Sequence, residues 1–195
     1  MNKNNTLLRL TITALMAGLC YVGFSYLKIS IPTPAGSTAF HLGNVFCVLA
    51  ALLLGGVTGG IAGSIGMGIG DVLDPRYILV APKTIILKFA IGFITGSLAH
   101  KVFKIRELEG KKLRLATVVS CAGGMFFNIC AEPLFGYFYY QFIMNMPEKA
   151  AKTLAGFNLI TTTTNAVLAV VIASALYLAV ASRFKKNGTL NRLLD

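Results

Sequence analysis

Six apolar stretches, joined by short polar or glycine-rich connections, dominate this chain. They run at about 7–27, 42–54, 57–72, 79–103, 115–143 and 154–184. A helix needs about 20 mostly apolar residues to cross the hydrocarbon core of a bilayer. Most of the stretches meet that length, while the second and third are short enough to be tilted or partly re-entrant. Only 13% of the residues are charged, against roughly 25% in an average soluble domain. A soluble enzyme and a disordered chain are both excluded on these grounds. The expectation is an all-α integral membrane protein: one domain, 1–195, with six transmembrane helices in a compact bundle. That leaves no room for a separate soluble domain such as an ATPase. The first stretch carries no small-residue cleavage site and reads as a retained helix.

The formal net charge is +11, and its distribution sets the predicted orientation. An even number of spans puts both termini on one side. Twelve of the 18 basic residues fall there: Lys3 and Arg9, six in the loop 101–114, and Arg183, Lys185, Lys186 and Arg192. The positive-inside rule therefore places both termini in the cytoplasm of a cell-membrane protein. The segments 28–41, 73–81 and 145–153 face outward. The apolar background excludes nucleic acid as the partner of this charge.

Glycine is concentrated in the third stretch. Gly56-x-x-x-Gly60 and Gly59-x-x-x-Gly63 are patterns that let helix backbones approach closely, and no phosphate-loop lysine follows them. The first stretch has its own small-residue face, Ala14-x-x-x-Gly18 with Ala17 beside it. Internal packing and docking on a membrane partner fit this face equally. Cys20, Cys47, Cys121 and Cys130 lie in apolar surroundings and read as packing residues. His41 and His100 fall on opposite sides, so no metal site is expected. No nucleophile–base pair is present, so no enzyme activity is expected.

Ionisable groups inside a membrane are costly and usually face a cavity or a partner. Here they gather near the outer ends of the stretches. His41 and Asn44 open the second, and Asp71 and Asp74 close the third, followed by Tyr77. Lys83 and Lys88 lie in the fourth. Asn128 and Glu132 share one face of the fifth, followed by Tyr139. Asn165 lies in the sixth. Lys83 reads equally as snorkelling or buried, and Lys88 as pairing with Asp71, Glu132 or a ligand. Together these residues describe a polar pocket open to the outside. The Pro- and Gly-rich segment 29–40 is a lid without a helix. Asp71, Asp74 and Glu132 hint at a ligand with an amine or ring N–H groups, unless Lys88 and Arg76 neutralise them.

The run from His41-Leu42-Gly43-Asn44 to Gly70-Asp71, with Lys88, Asn165 and the small-residue face of the first helix, resembles the riboflavin-type branch of S components. These are the substrate-binding membrane subunits of energy-coupling factor (ECF) vitamin transporters. The resemblance covers nearly the whole chain. It implies tight capture of a vitamin or related heterocycle from outside: a flavin, a B6 vitamer, a pyrimidine precursor or a queuosine-type base. It implies docking through Ala14, Ala17 and Gly18 on a transmembrane coupling subunit. Glycine at the second position departs from the usual Ala-x-x-x-Ala pattern. It also implies two cytoplasmic ATPase subunits that hydrolyse ATP, with no cofactor held by this chain. The alternative is a stand-alone carrier or channel for a small polar solute.

Overall fold

The structure, a computed structural model, describes residues 3–194. Met1, Asn2 and Asp195, the ends of the predicted 1–195 domain, lie outside the described residues. The first helix, α1 (Lys3–Ser25), leads into a hairpin of β1 (Lys28–Thr33) and β2 (Gly36–His41). Then follow α2 (Gly43–Leu54), α3 (Gly56–Val72), α4 (Ala81–Ser97), α5 (Gly110–Phe138), α6 (Glu148–Lys186) and a short α7 (Thr189–Leu194). Wide π-type turns extend α4 over Leu98–Val102 and α5 over Tyr139–Ile143. The six predicted stretches each correspond to one of α1–α6.

Four of these segments are long and apolar enough to cross a membrane: Lys3–Ser25, Ile78–Val102, Gly110–Ile143 and Glu148–Lys186. At about 1.5 Å per residue, α2 is roughly 18 Å long and α3 roughly 25 Å. Both fall short of the roughly 30 Å hydrocarbon core. Gly55 separates them at φ 84°, a left-handed conformation that glycine adopts without a Cβ penalty.

The chain is all-helical apart from one segment, residues 28–41, which form an antiparallel β-hairpin. Its register runs from Lys28 opposite His41 to Thr33 opposite Gly36, with a two-residue turn at Pro34–Ala35. Prolines argue against interior strands because they lack a ladder donor. A two-stranded ribbon has only edges, so Pro32 is accommodated. Meanwhile Ile29, Ile31, Thr33 and Thr38 supply the β-branched residues that favour extended backbone.

Glycine fixes how the helices pack. In α3, Gly56 and Gly60 lie against the backbone of Phe93 and Phe89 in α4, while Gly92 and Gly96 of α4 lie against the backbone of Gly60 and Gly56. A side chain at these positions would meet main-chain atoms. Gly59 and Gly63 face Ala51 and Cys47 of α2, and Gly66 and Gly70 face α1. So α3 seats three neighbours at once. The buried core around it includes Cys20, Cys47, Leu52, Met67, Ile91 and Met125. Cys130, by contrast, is exposed.

The hairpin and the α3–α4 and α5–α6 connections gather at one end of the bundle, tied together by Lys28–Asp74, Tyr77–Ser37 and Tyr139–Leu79 hydrogen bonds. The opposite end holds the start of α1, the α4–α5 connection and α7. There Arg192 Nε donates to Asn5 Oδ1 at 3.1 Å, and Leu190 and Leu193 of α7 are buried.

Candidate functional site

Under the hairpin lies a cavity of 230 Å³, many times the roughly 30 Å³ that one liquid water occupies. Its walls repeat at helical spacing. From α5 come Asn128, Glu132 and, one turn beyond Gly136, Tyr140 on the following π-type turn. From α6 come Leu154, Asn158, Thr161, Thr162 and Asn165, which share one face. The α4 side gives Val80, Lys83, Thr84 and Lys88, and α3 gives Asp71. His41 and Asn44 approach from the end of β2 and the start of α2, and Phe24, Met144 and Met146 add apolar wall.

Polar groups on one side of the cavity satisfy each other. Lys83 is 3% exposed, so the snorkelling reading does not hold. It forms an ion pair with Glu132, its ammonium donates to Tyr140 Oη at 3.1 Å, and Asn158 Nδ2 donates to the same oxygen at 2.7 Å. Removing one partner from a buried pair strands the other charge and costs about 3–5 kcal/mol.

The other side is unsatisfied. Asn128 is 1% exposed, yet neither its Nδ2 nor its Oδ1 has a partner among the described residues. The same holds for Asn44 Oδ1, Asp71 Oδ2 and His41 Nδ1. Buried polar atoms are nearly always hydrogen-bonded in native proteins, so a cluster of five such atoms at one cavity points to a ligand that completes them. The lining includes the side chain of Lys88, which is 5% exposed.

The hairpin is fastened over this cavity by side chains from α6 and from the α3–α4 connection. Asn165 reaches it twice: Nδ2 donates to Ala39 O at 3.1 Å, and Oδ1 accepts from His41 N at 3.0 Å. Thr38 and Thr161 share a hydroxyl hydrogen bond of 2.8 Å. Tyr77 Oη donates to Ser37 Oγ at 3.1 Å. Lys28 Nζ lies 2.8 Å from Asp74 Oδ2, which also meets Arg76 at 2.7 Å. The Arg76 guanidinium, with Lys28, holds the Asp74 carboxyl well below the usual carboxylate range.

Of the residues read from the sequence as substrate-facing, His41, Asn44, Asp71, Tyr77, Lys88, Asn128, Glu132 and Asn165 line this one cavity. Two sit elsewhere. Asp74 is bound to Lys28 and Arg76 beside the hairpin, and Tyr139 donates to Leu79 O at 2.8 Å on the outer surface. Tyr140 occupies the cavity position. The four-residue steps Asn128–Glu132–Gly136–Tyr140 carried that signal in the sequence. Thr38 and Lys28 were not legible in this way, because their place depends on the hairpin, whereas Thr84 sits on α4 one turn before Lys88. Among the described residues, no three His, Cys, Asp or Glu side chains are grouped to hold a metal ion.

The small-residue face of α1 divides. Ala14 is exposed, and a Cβ at Gly18 would meet only open space. Ala17 is buried, with its carbonyl against Gly66 of α3. Ala17 therefore packs inside the bundle, and only Ala14 and Gly18 remain on the outer face.

A family model for the ECF-type riboflavin transporter S component matches residues 4–182. The chain belongs to that S-component family. Such subunits are membrane proteins of vitamin uptake that bind substrate and do no catalysis. A solved S component for biotin from an ECF-type ABC transporter superimposes with a TM-score of 0.62 at 19% identity, covering 90% of this chain and 94% of that one. At that identity the likeness speaks for the fold alone. A Pyrococcus woesei protein, described as an uncharacterized protein in a gap 3′ region, is 33% identical over 69 residues. That stretch is 35% of this S component, which spans 45% of the length of that curated relative.

Proposed function

We propose that this S component captures a vitamin-like heterocycle from outside the cell membrane and holds it in the cavity beneath the hairpin. The observation that carries the reading is the set of buried, unpartnered atoms on Asn128, Asn44, Asp71 and His41. They offer both donors and acceptors, as the edge of a nitrogen heterocycle requires. The flavin named by the family model, a B6 vitamer, a pyrimidine precursor and a queuosine-type base all present such an edge. In this account α1, α4, α5 and α6 cross the bilayer, and α2 and α3 act as a shorter tilted pair. The hairpin faces outward, and the basic α4–α5 connection and tail face the cytoplasm. The positive-inside distribution of Lys and Arg supports that orientation.

Delivery follows through a transmembrane coupling subunit and two cytoplasmic ATPases that supply ATP hydrolysis, and this chain needs no cofactor of its own. Ala14 and Gly18 form the docking face, where small residues allow a partner helix to approach closely. Two measurements test the reading together, uptake by cells carrying the coupling module and ligand binding by the purified subunit. Ala14→Trp abolishes uptake and leaves binding intact. Transport by the chain alone in liposomes, or full uptake by Ala14→Trp, would contradict the account.

A further inference from the structure

The charges around the cavity do not balance by direct pairing. The acids lining it are Asp71 and Glu132, and the cations are Lys28, Arg76, Lys83 and Lys88. Glu132 is taken by Lys83, and Asp74, beside the wall, is shared by Lys28 and Arg76. Among the described residues the Lys88 ammonium has no direct hydrogen bond or ion pair, at 5% exposure in the middle of α4, and the charges of Glu132 and Asp71 reach it only through space. Asp71 is the remaining acid nearby, and no ion pair joins it to Lys88, while its own Oδ2 is unpartnered. Cys47 and His41 are also near Lys88; the Cys47 thiol donates from Sγ to the Lys88 carbonyl, and an imidazole brings no negative charge.

A buried ammonium with three N–H donors and no acceptor is strongly disfavoured unless something supplies the counter-charge. The acids that suggested an amine-bearing ligand are mostly consumed by neighbouring cations, so the sign of the hint reverses.

Building on the reading of the cavity as the substrate site, we propose that the substrate is an organic anion whose ionised acid group meets Lys88. Its heterocyclic edge lies against Asn128 and Asn44. A ring N–H of the same molecule reaches Asp71. Lys28 and Arg76 at the mouth draw such an anion in. The acid is a carboxylate or a phosphate, and both would satisfy Lys88 in the same way.

Thermal unfolding of purified full-length wild type and Lys88→Met tests this, first without added ligand and then with matched probes. The probes are nicotinamide against nicotinate, uracil against orotate, and riboflavin against flavin mononucleotide. The first two pairs test a carboxylate and the third a phosphate. Without ligand, Lys88→Met is expected to melt about 2–4 °C higher than wild type, because it removes an uncompensated charge. An anionic member of at least one pair raises the wild-type midpoint where its neutral partner does not, and the shift disappears in Lys88→Met.

A lower midpoint for ligand-free Lys88→Met would assign Lys88 to a structural pairing and overturn the inference. A neutral probe that stabilises both proteins equally would overturn it too, while leaving the cavity as the substrate site. If no vitamin-like compound binds wild type at all, the reading of the cavity itself falls.

Discussion

Helices α3 and α4 meet in two different ways along their length. Near the α4–α5 connection, Gly56 and Gly60 lie against Gly92, Gly96 and the main chain of Phe89 and Phe93. Backbone touches backbone, and no polar side chain intervenes. Toward the hairpin, Gly68 faces the Ile85 side chain instead. There the helices carry Asp71, Lys83, Thr84 and Lys88 into a cavity. The same pair of helices thus supplies a close-packed seam and, three turns away, a polar wall in which Lys83 is paired while Asp71 Oδ2 is not. The seam allows the wall to exist. Buried polar atoms without partners favour collapse or rearrangement, and a glycine-locked crossing resists both.

The hardest way to break this contrast is to fill the seam. Gly92→Leu forces a side chain into the backbone of Gly59 and Gly60 and is expected to cost about 4–5 kcal/mol or more. The measurement is the yield of monodisperse protein and its unfolding midpoint. A midpoint within a few degrees of wild type would show that the seam is not close-packed.

Next is Glu132→Ala, which strands Lys83 and is expected to destabilise by about 3–5 kcal/mol. Adding Lys83→Met should recover much of the loss, because the double variant leaves neither member of this pair without its partner. A full loss in both single and double variants would contradict the pairing.

Asn128→Ala sharpens the contrast from the other side. Its amide has no partner among the described residues, so the unfolding midpoint without ligand should hardly move. Ligand affinity should fall by about 1–3 kcal/mol, roughly 5- to 150-fold. The two readouts together separate a residue that serves the ligand from one that serves the fold.

The smallest effect is expected at the hairpin. Asp74→Asn removes the charge held by Lys28 and Arg76 and should speed ligand release about 2- to 5-fold, since partly exposed ion pairs contribute at most about 1 kcal/mol. The Asp74 carboxyl sits below its ordinary value, so its tether is complete above the ordinary carboxylate range. It is lost only as pH falls through the depressed value. Release should therefore be flat between pH 8 and pH 5, and a step in that window would assign the lid to another group.

Much of this molecule was legible before any coordinates. The apolar stretches gave α1–α6 because helices in a bilayer must be long and apolar, and that requirement is visible residue by residue. Asn128, Glu132, Lys88 and Asp71 stood out because polar groups are rare in such stretches. What stayed hidden depends on long-range pairing. Nothing local ties Lys83 to Glu132, 49 positions away, rather than to the membrane surface. Asn165 shares a cavity with its predicted companions, but its amide is spent on the hairpin backbone. The hairpin itself was masked by its prolines. Tyr139 was read in place of Tyr140, although the four-residue steps from Asn128 through Glu132 and Gly136 lead to Tyr140. Ala17 looked like part of an outer stripe until Gly66 covered it.

The central claim is that the cavity beneath the hairpin holds the substrate. Native mass spectrometry of the intact subunit, released gently from detergent after growth in rich medium, tests it most directly. The account predicts one bound small molecule per chain in wild type, with occupancy sharply reduced in Asn128→Ala at an unchanged unfolding midpoint. Equal occupancy in wild type and Asn128→Ala would contradict it.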